Sequence, residues 1–173
     1  LLLHLAGVVQ FGDEHPARLD ARDLGVGDPL GIDAAQLGEA LARLVLRETG
    51  ARVQTHAERV TGETMLSDIV FLLTDTMASR KEIWDGALRL KLRTKLLVET
   101  RMGADSGRIY ALNPNSPRHI KAWEGTLYGD DEAEVSACGT SISVGPTAEI
   151  ISGLAVWQMI RWFSVEQSGD DVL

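Results

Sequence analysis

Cysteine is the scarcest group in this chain of 173 residues, with Cys138 the only one. A single thiol excludes an intrachain disulfide framework and the paired Cys-x-x-Cys knuckles of a zinc ribbon, so no zinc is expected. Histidine is nearly as thin. His4, His15, His56 and His119 lie in unlike contexts without a His-x-x-x-His pair, which argues against a His-based metal site. Long apolar runs are missing too: Ile69 to Leu73 spans five residues, against the roughly 20 that a membrane span needs. Basic side chains are outnumbered, 17 to 25, giving a net charge of −8. That balance excludes a general electrostatic grip on nucleic acid or anionic membrane. The opening Leu1-Leu2-Leu3-His4-Leu5-Ala6-Gly7 has no charged stretch and no small-residue cleavage site, so it does not read as a signal peptide. The expectation is a cytoplasmic globular protein, long enough to bury a core without staples.

The hydrophobic pattern alternates between two periods. Val8 to Phe11 reads as a short strand, and the polar stretch Glu14 to Pro29 as loop with room for one short helical turn. Asp33 can cap a helix in which Leu37, Leu41, Leu44 and Val45 share a face and which Gly50 closes. Ala51 to His56 alternates as a strand. Ile69 to Leu73 is a continuous apolar run, as in a strand covered on both faces, and Thr74-Asp75 ends it. Ser79 to Leu92 reads as a helix with Ile83, Ala87 and Leu90 inward. Lys95 to Thr100 and Arg108 to Leu112 are two further strands. Residues 113–137 read as irregular and acidic. Pro146 to Phe163 reads as a closing helix with Ile150, Leu154, Trp157 and Ile160/Arg161 at helical spacing. The alternation predicts a doubly wound α/β fold with a mostly parallel sheet, whose ligands sit beyond the carboxyl ends of the strands.

The segment richest in chemistry follows the buried run. Asp75 stands just past a strand, and Arg80 follows five residues later in the first helical turn. Such a carboxylate can hold magnesium, which takes one or two carboxylates plus phosphate oxygens. Arg80 can brace the loop or a ligand. The plainer alternative makes Asp75 a helix cap and Arg80 a surface residue. Arg101 either reaches a carboxylate or phosphate from a strand end or pairs with Glu99 or Asp105. Cys138, before Gly139-Thr140-Ser141 and a helix, is either a thiolate nucleophile or a small packed residue. Trp157 and Trp162 are either core or a dimer face. Asp130-Asp131-Glu132 with Glu134 reads as a solvated loop.

Thr74-Asp75-Thr76-Met77-Ala78-Ser79-Arg80 resembles the T-D-[NS]-x-x-x-R motif of the ThiF/MoeB/HesA superfamily, the adenylating enzymes that activate ubiquitin-like proteins. Ala51 to Thr61, Glu99-Thr100-Arg101-Met102-Gly103 to Tyr110, and Ala137-Cys138-Gly139-Thr140 to Ile151 are similar to further segments of that family in the same order. The Arg101-Met102 pair, Trp123-Glu124-Gly125-Thr126-Leu127-Tyr128, Asp130 to Ala133 and the single cysteine look most like its compact bacterial and phage-associated members. The resemblance covers Val8 to Phe163. It implies a Rossmann-like fold lacking its first strand and glycine loop, one adenylation domain over residues 1–173, N-terminally incomplete, with 113–137 as the crossover. It further implies ATP and magnesium as cofactors, a ubiquitin-like or sulfur-carrier protein as partner, and a homodimer or heterodimer. Asp75 would hold the metal, Arg80 and Arg101 would lie near the phosphates, and Cys138 would take the acyl group.

The chain departs from the family in several places. The Gly-x-Gly-x-x-Gly loop, whose backbone N–H groups bind phosphate at a helix N-terminus, would fall before Leu1. The region of the ribose-binding aspartate is held by Gln10 or Asp13. Arg18-Leu19-Asp20-Ala21-Arg22 stands for the family's Asn-Leu-x-Arg-Gln, and Pro29-Leu30-Gly31-Ile32 echoes Gly-Lys-Pro-Lys without either lysine. These departures keep open a second reading, a non-catalytic subunit of the same fold that binds a partner.

Overall fold

The computed structural model describes residues 7–12, 15–20, 34–56, 58–103, 105–132 and 145–168. Among them, six strands and four α-helices make a mixed α/β arrangement. The strands are β1 (Gly7–Gly12), β2 (His15–Asp20), β3 (Val53–His56), β4 (Asp68–Leu73), β5 (Thr94–Met102) and β6 (Gly107–Leu112). They lie in the order β3-β2-β1-β4-β5-β6. The β2–β3 and β4–β5 ladders are parallel, whereas β1 runs antiparallel to both its neighbours and β6 antiparallel to β5. The sheet is therefore mixed where the alternation predicted a mostly parallel one. The short β5–β6 connection leaves no room for the crossover that a parallel pair requires.

The helices are α1 (Ala34–Thr49), α2 (Met77–Ile83), α3 (Pro117–Glu124) and α4 (Gly145–Ser168). Gly50 ends α1 at φ +74, a conformation that costs glycine little, with its N–H bonded to the Leu46 carbonyl. Leu44, expected inward, is 45% exposed. Here α1 meets the edge strand β3, where Gly38 packs on Thr55. Thr76 caps α2 through its side chain, which accepts from the Ser79 N–H.

The last turns of that helix widen into a π segment, Trp84–Leu88. The widening follows a close approach. Gly86 lies so near Gly62 that a Cβ on Gly86 would run into the Gly62 backbone. The chain then turns at Leu90, φ +56, and Leu90, expected inward, is exposed. Residues 15–20 form a strand, and 117–124 a helix, inside stretches that read as loop. Pro117 at the helix start and Ile120 and Trp123 on one side account for α3. The expected Asp33 cap lies outside the described residues.

Strands alternate their side chains, so β4 and β5 feed two cores. Val70, Leu72 and Leu97 meet Ile83, Trp84, Leu88, Ile120 and Trp123 beneath α2 and α3. Ile69, Phe71, Leu96 and Val98 meet Ala155 beneath α4. Helices thus cover both faces around β4 and β5. The α4 residues turned inward are Ile151 and Ala155, one position on from the predicted Ile150 and Leu154. Among the described residues, no helix is long and apolar enough to cross a membrane.

Candidate functional site

Alternation along β5 puts Leu97, Glu99 and Arg101 on one face. Leu97 meets the α2–α3 core, and the next two positions toward the strand's carboxyl end carry opposite charges. Glu99 is fully buried, Arg101 is 7% exposed, and Arg80 from α2 is 3% exposed. A carboxylate thus sits between two guanidinium groups, inside protein. Arg80 Nε lies 2.6 Å from Glu99 Oε1, an ion contact without the alignment of a straight hydrogen bond. Arg101 Nε donates to both Glu99 oxygens, at 2.9 and 3.1 Å. Trp123 Nε1 donates to Glu99 Oε2 at 3.1 Å.

The rest of each guanidinium is also engaged. Arg80 Nη2 donates to the Thr74 carbonyl at 2.6 Å and the Thr100 carbonyl at 3.2 Å, tying the ends of β4 and β5 together. Arg101 donates to the Thr126 carbonyl at 2.6 Å and to Thr126 Oγ1 at 3.0 Å. Its guanidinium lies 4.6 Å from the Tyr110 ring centroid, 5.7 Å from that of Tyr128 and 5.8 Å from that of Trp123. Such cation–ring contacts strengthen when water is excluded. Burial lowers the affinity of Arg80 for its proton; Glu99 opposes this and Arg101 adds to it. Two cations and one anion leave a net positive charge in a place of low polarisability, where fields are screened least.

Asp75 and Thr76 are exposed at the carboxyl end of β4. Thr76 is the α2 cap and Arg80 is buried, so neither half of the plainer alternative describes this segment. The Thr74 side-chain hydroxyl is buried and has no hydrogen-bond partner among the described residues. Asp130, read as part of a solvated loop, instead reaches back to α2. Its carboxylate accepts from the Met77 and Ala78 N–H groups, the latter at 3.2 Å. Arg101 takes Glu99 rather than Asp105. Asp13 and Cys138 lie outside the described residues.

The geometry gives roles to four further residues: Glu99 as the hub, Trp123 as its donor, Thr126 as the acceptor for Arg101, and Asp130 as a clamp on α2. The available signal was a glutamate inside an apolar strand, since acidic side chains are seldom fully buried without a partner. Among the described residues, no three His, Cys, Asp or Glu side chains converge as a protein-built metal cage would need. A lone exposed carboxylate still suits magnesium of the kind held mostly by phosphate oxygens and water. Asp75 is such a group.

No family model, curated protein or solved structure matches the chain.

Proposed function

We propose that this chain is a Rossmann-like adenylating domain of the ThiF/MoeB/HesA type, which activates the carboxyl terminus of a ubiquitin-like or sulfur-carrier protein. One observation supports the reading above the others. Sequence segments that resemble the family, Thr74–Arg80, Glu99–Arg101, Trp123–Tyr128 and Asp130, are distant along the chain yet meet at the carboxyl ends of β4 and β5. Ligands of α/β sheets bind at that end.

In this reading, a carboxylate oxygen of the partner's C-terminus attacks the α-phosphorus of ATP. The bond from that phosphorus to the bridging oxygen breaks, and pyrophosphate leaves with the electron pair. Magnesium supplies charge neutralisation at the phosphates, and Asp75 is the residue that would hold it. The chain's own contribution is positioning and field. Arg80 ties together the two strand ends, and the buried net positive charge favours anionic phosphate above it. Because both guanidinium groups are engaged with protein partners, they act through the shape and potential of the strand ends. Cys138 then takes the acyl group: its thiolate sulfur attacks the acyl carbon, and AMP leaves.

ATP–pyrophosphate exchange with a ubiquitin-like protein ending in glycine tests the reading. Exchange that is lost in Asp75→Ala is the expected result. Calorimetry with ATP and magnesium gives the second arm. A chain that binds no ATP while still binding the ubiquitin-like protein belongs to the non-catalytic reading, which the engagement of Arg80 and Arg101 by protein groups favours.

A further inference from the structure

Two tight turns lead from the π segment into β5, and each holds a leucine out in water. The first closes where the Lys91 N–H donates to the Leu88 carbonyl at 3.1 Å. Its central residues, Arg89 at φ −60, ψ 121 and Leu90 at φ +56, make a type II turn, whose second central position favours glycine. The second turn closes from the Thr94 N–H to the Lys91 carbonyl at 3.0 Å, with Leu92 and Arg93 at its corner. Turn corners favour glycine, proline, asparagine, aspartate and serine. Yet Leu92 is 87% exposed and Leu90 54%. Neither packing nor turn chemistry calls for leucine at these places. Met65, 71% exposed, stands beside them, since Arg93 Nη1 donates to its sulfur.

The charges around these apolar tips are mostly basic. Lys91 and Arg93 alternate with the leucines, and both are exposed. Arg118 opens α3 three residues past Asn115, whose side-chain amide donates to the Lys91 carbonyl at 3.2 Å. Among the described residues, none of these three cations has an ion-pair partner. Two neighbouring carboxylates, Asp68 and Glu124, are held by Lys95 and Arg89. Glu63, two positions before Met65, is the acidic exception.

We propose that this end of the molecule docks on an anionic lipid surface. Leu90, Leu92 and Met65 enter the headgroup layer, and Lys91, Arg93 and Arg118 meet the phosphates. Apolar tips among unpaired cations select that occupant. Interfacial binding grows with the apolar area buried in lipid and with attraction to anionic headgroups. A nucleic-acid strand would use the cations, but it stacks on aromatic rings, and none of these six residues is aromatic. The acidic balance of the whole chain, −8, turns the rest of the surface away from the same lipid. That repulsion fixes the orientation. β4 and β5 are parallel, so both begin at the docked end. Nine residues of β5 set their carboxyl ends roughly 25 Å farther along. Docking therefore stands apart from any chemistry at the Glu99 cluster.

Sedimentation with vesicles of equimolar phosphatidylcholine and phosphatidylglycerol, against phosphatidylcholine alone, is the first measurement. Binding to the mixed vesicles only is expected. Lys91→Gln with Arg93→Gln should weaken it about twenty-fold, at roughly fivefold per charge. Leu92→Ser should weaken it about tenfold. Arg43→Gln with Arg47→Gln removes equal charge from α1 and should leave binding unchanged. Equal losses in the two double variants overturn the proposal, as does a native chain that ignores the mixed vesicles, whether or not it binds a single-stranded oligonucleotide. Release by inorganic phosphate at constant ionic strength overturns it in favour of a free-phosphate site. The second measurement does not depend on those variants. In a Cys138→Ser background, an environment-sensitive fluorophore on Leu92→Cys should shift to the blue with the mixed vesicles, and the same fluorophore on Arg43→Cys should not. No shift at Leu92, or an equal shift at both positions, overturns the docked orientation.

Discussion

The two sides of β5 are built by different rules. Under α4, Leu96 and Val98 join Ile69, Phe71 and Ala155 in an apolar core. Under α2 and α3, Leu97 is followed by Glu99 and Arg101, and the core gives way to a buried ionic cluster. Apolar packing contributes roughly 25 cal/mol per Å² removed from water. Removing ions from water costs several kcal/mol each, and mutual attraction offsets that only with good geometry and filled hydrogen bonds. One face of the strand therefore supplies stability, and the other spends some of it to hold charge in a fixed place at a strand end. A chain that needed only a fold would gain from making both sides alike.

That contrast can be broken most severely at Glu99. Glu99→Gln leaves two guanidinium groups facing each other in the interior, and a loss of about 3–5 kcal/mol in urea unfolding is expected. Replacing Glu99, Arg80 and Arg101 together by apolar residues of similar volume should recover most of that loss, without recovering ATP–pyrophosphate exchange. On the opposite face, Leu96→Ala should cost about 2–4 kcal/mol by opening a cavity, with exchange measured per folded molecule nearly unchanged. An equal fall in specific activity for both substitutions would erase the distinction between the faces.

A smaller effect is expected where two backbones touch. Gly86→Ala forces the π segment away from Gly62, which should cost about 1–3 kcal/mol, read as a shift in melting temperature. Smallest of all is an acid effect at Glu124. Its carboxyl sits below the usual glutamate range because the Trp84 Nε1–H and then Arg89 bond the charged form. A carboxylate whose proton affinity falls on folding stabilises above its unfolded value, and that stability is lost as pH drops through the folded one. Glu124→Gln should therefore lower stability slightly at neutral pH, leave the acid end little changed and so flatten the acid limb of the stability profile.

Elements held by continuous apolar runs were legible in the sequence. The strand β4 and its end at Thr74 stand where the pattern put them, because a strand covered on both faces is apolar at successive positions. Two elements were hidden by punctuation. Pro16 and its charged neighbours disguised β2, and Asn113, Pro114, Ser116 and Pro117 made the start of α3 look like loop. In α4 the spacing rule chose Ile150 and Leu154, whereas the structure buries Ile151 and Ala155. Periodicity selects a face only by contrast, and this helix has almost none. Within the candidate site, Asp75 and Arg80 stood out because strand ends draw attention. Glu99 reads from sequence only as a partner for Arg101; its place between Arg80, Arg101 and Trp123 shows once β4, β5 and α3 are assembled.

The position of β1 sets one long-range pairing in the sheet against two local ones. β5 and β6 are joined by a short turn and can pair within a local hairpin, with Leu97 opposite Leu112. β1 has no such neighbour on its β4 side: Val9 stands opposite Phe71, with β2, α1 and β3 lying between them in the chain. Closing so long a loop carries its entropy cost before any reward. During synthesis, the β1 edge that faces β4 stays unpaired until β4 emerges, after β1 and β2 can already have met as a local pair.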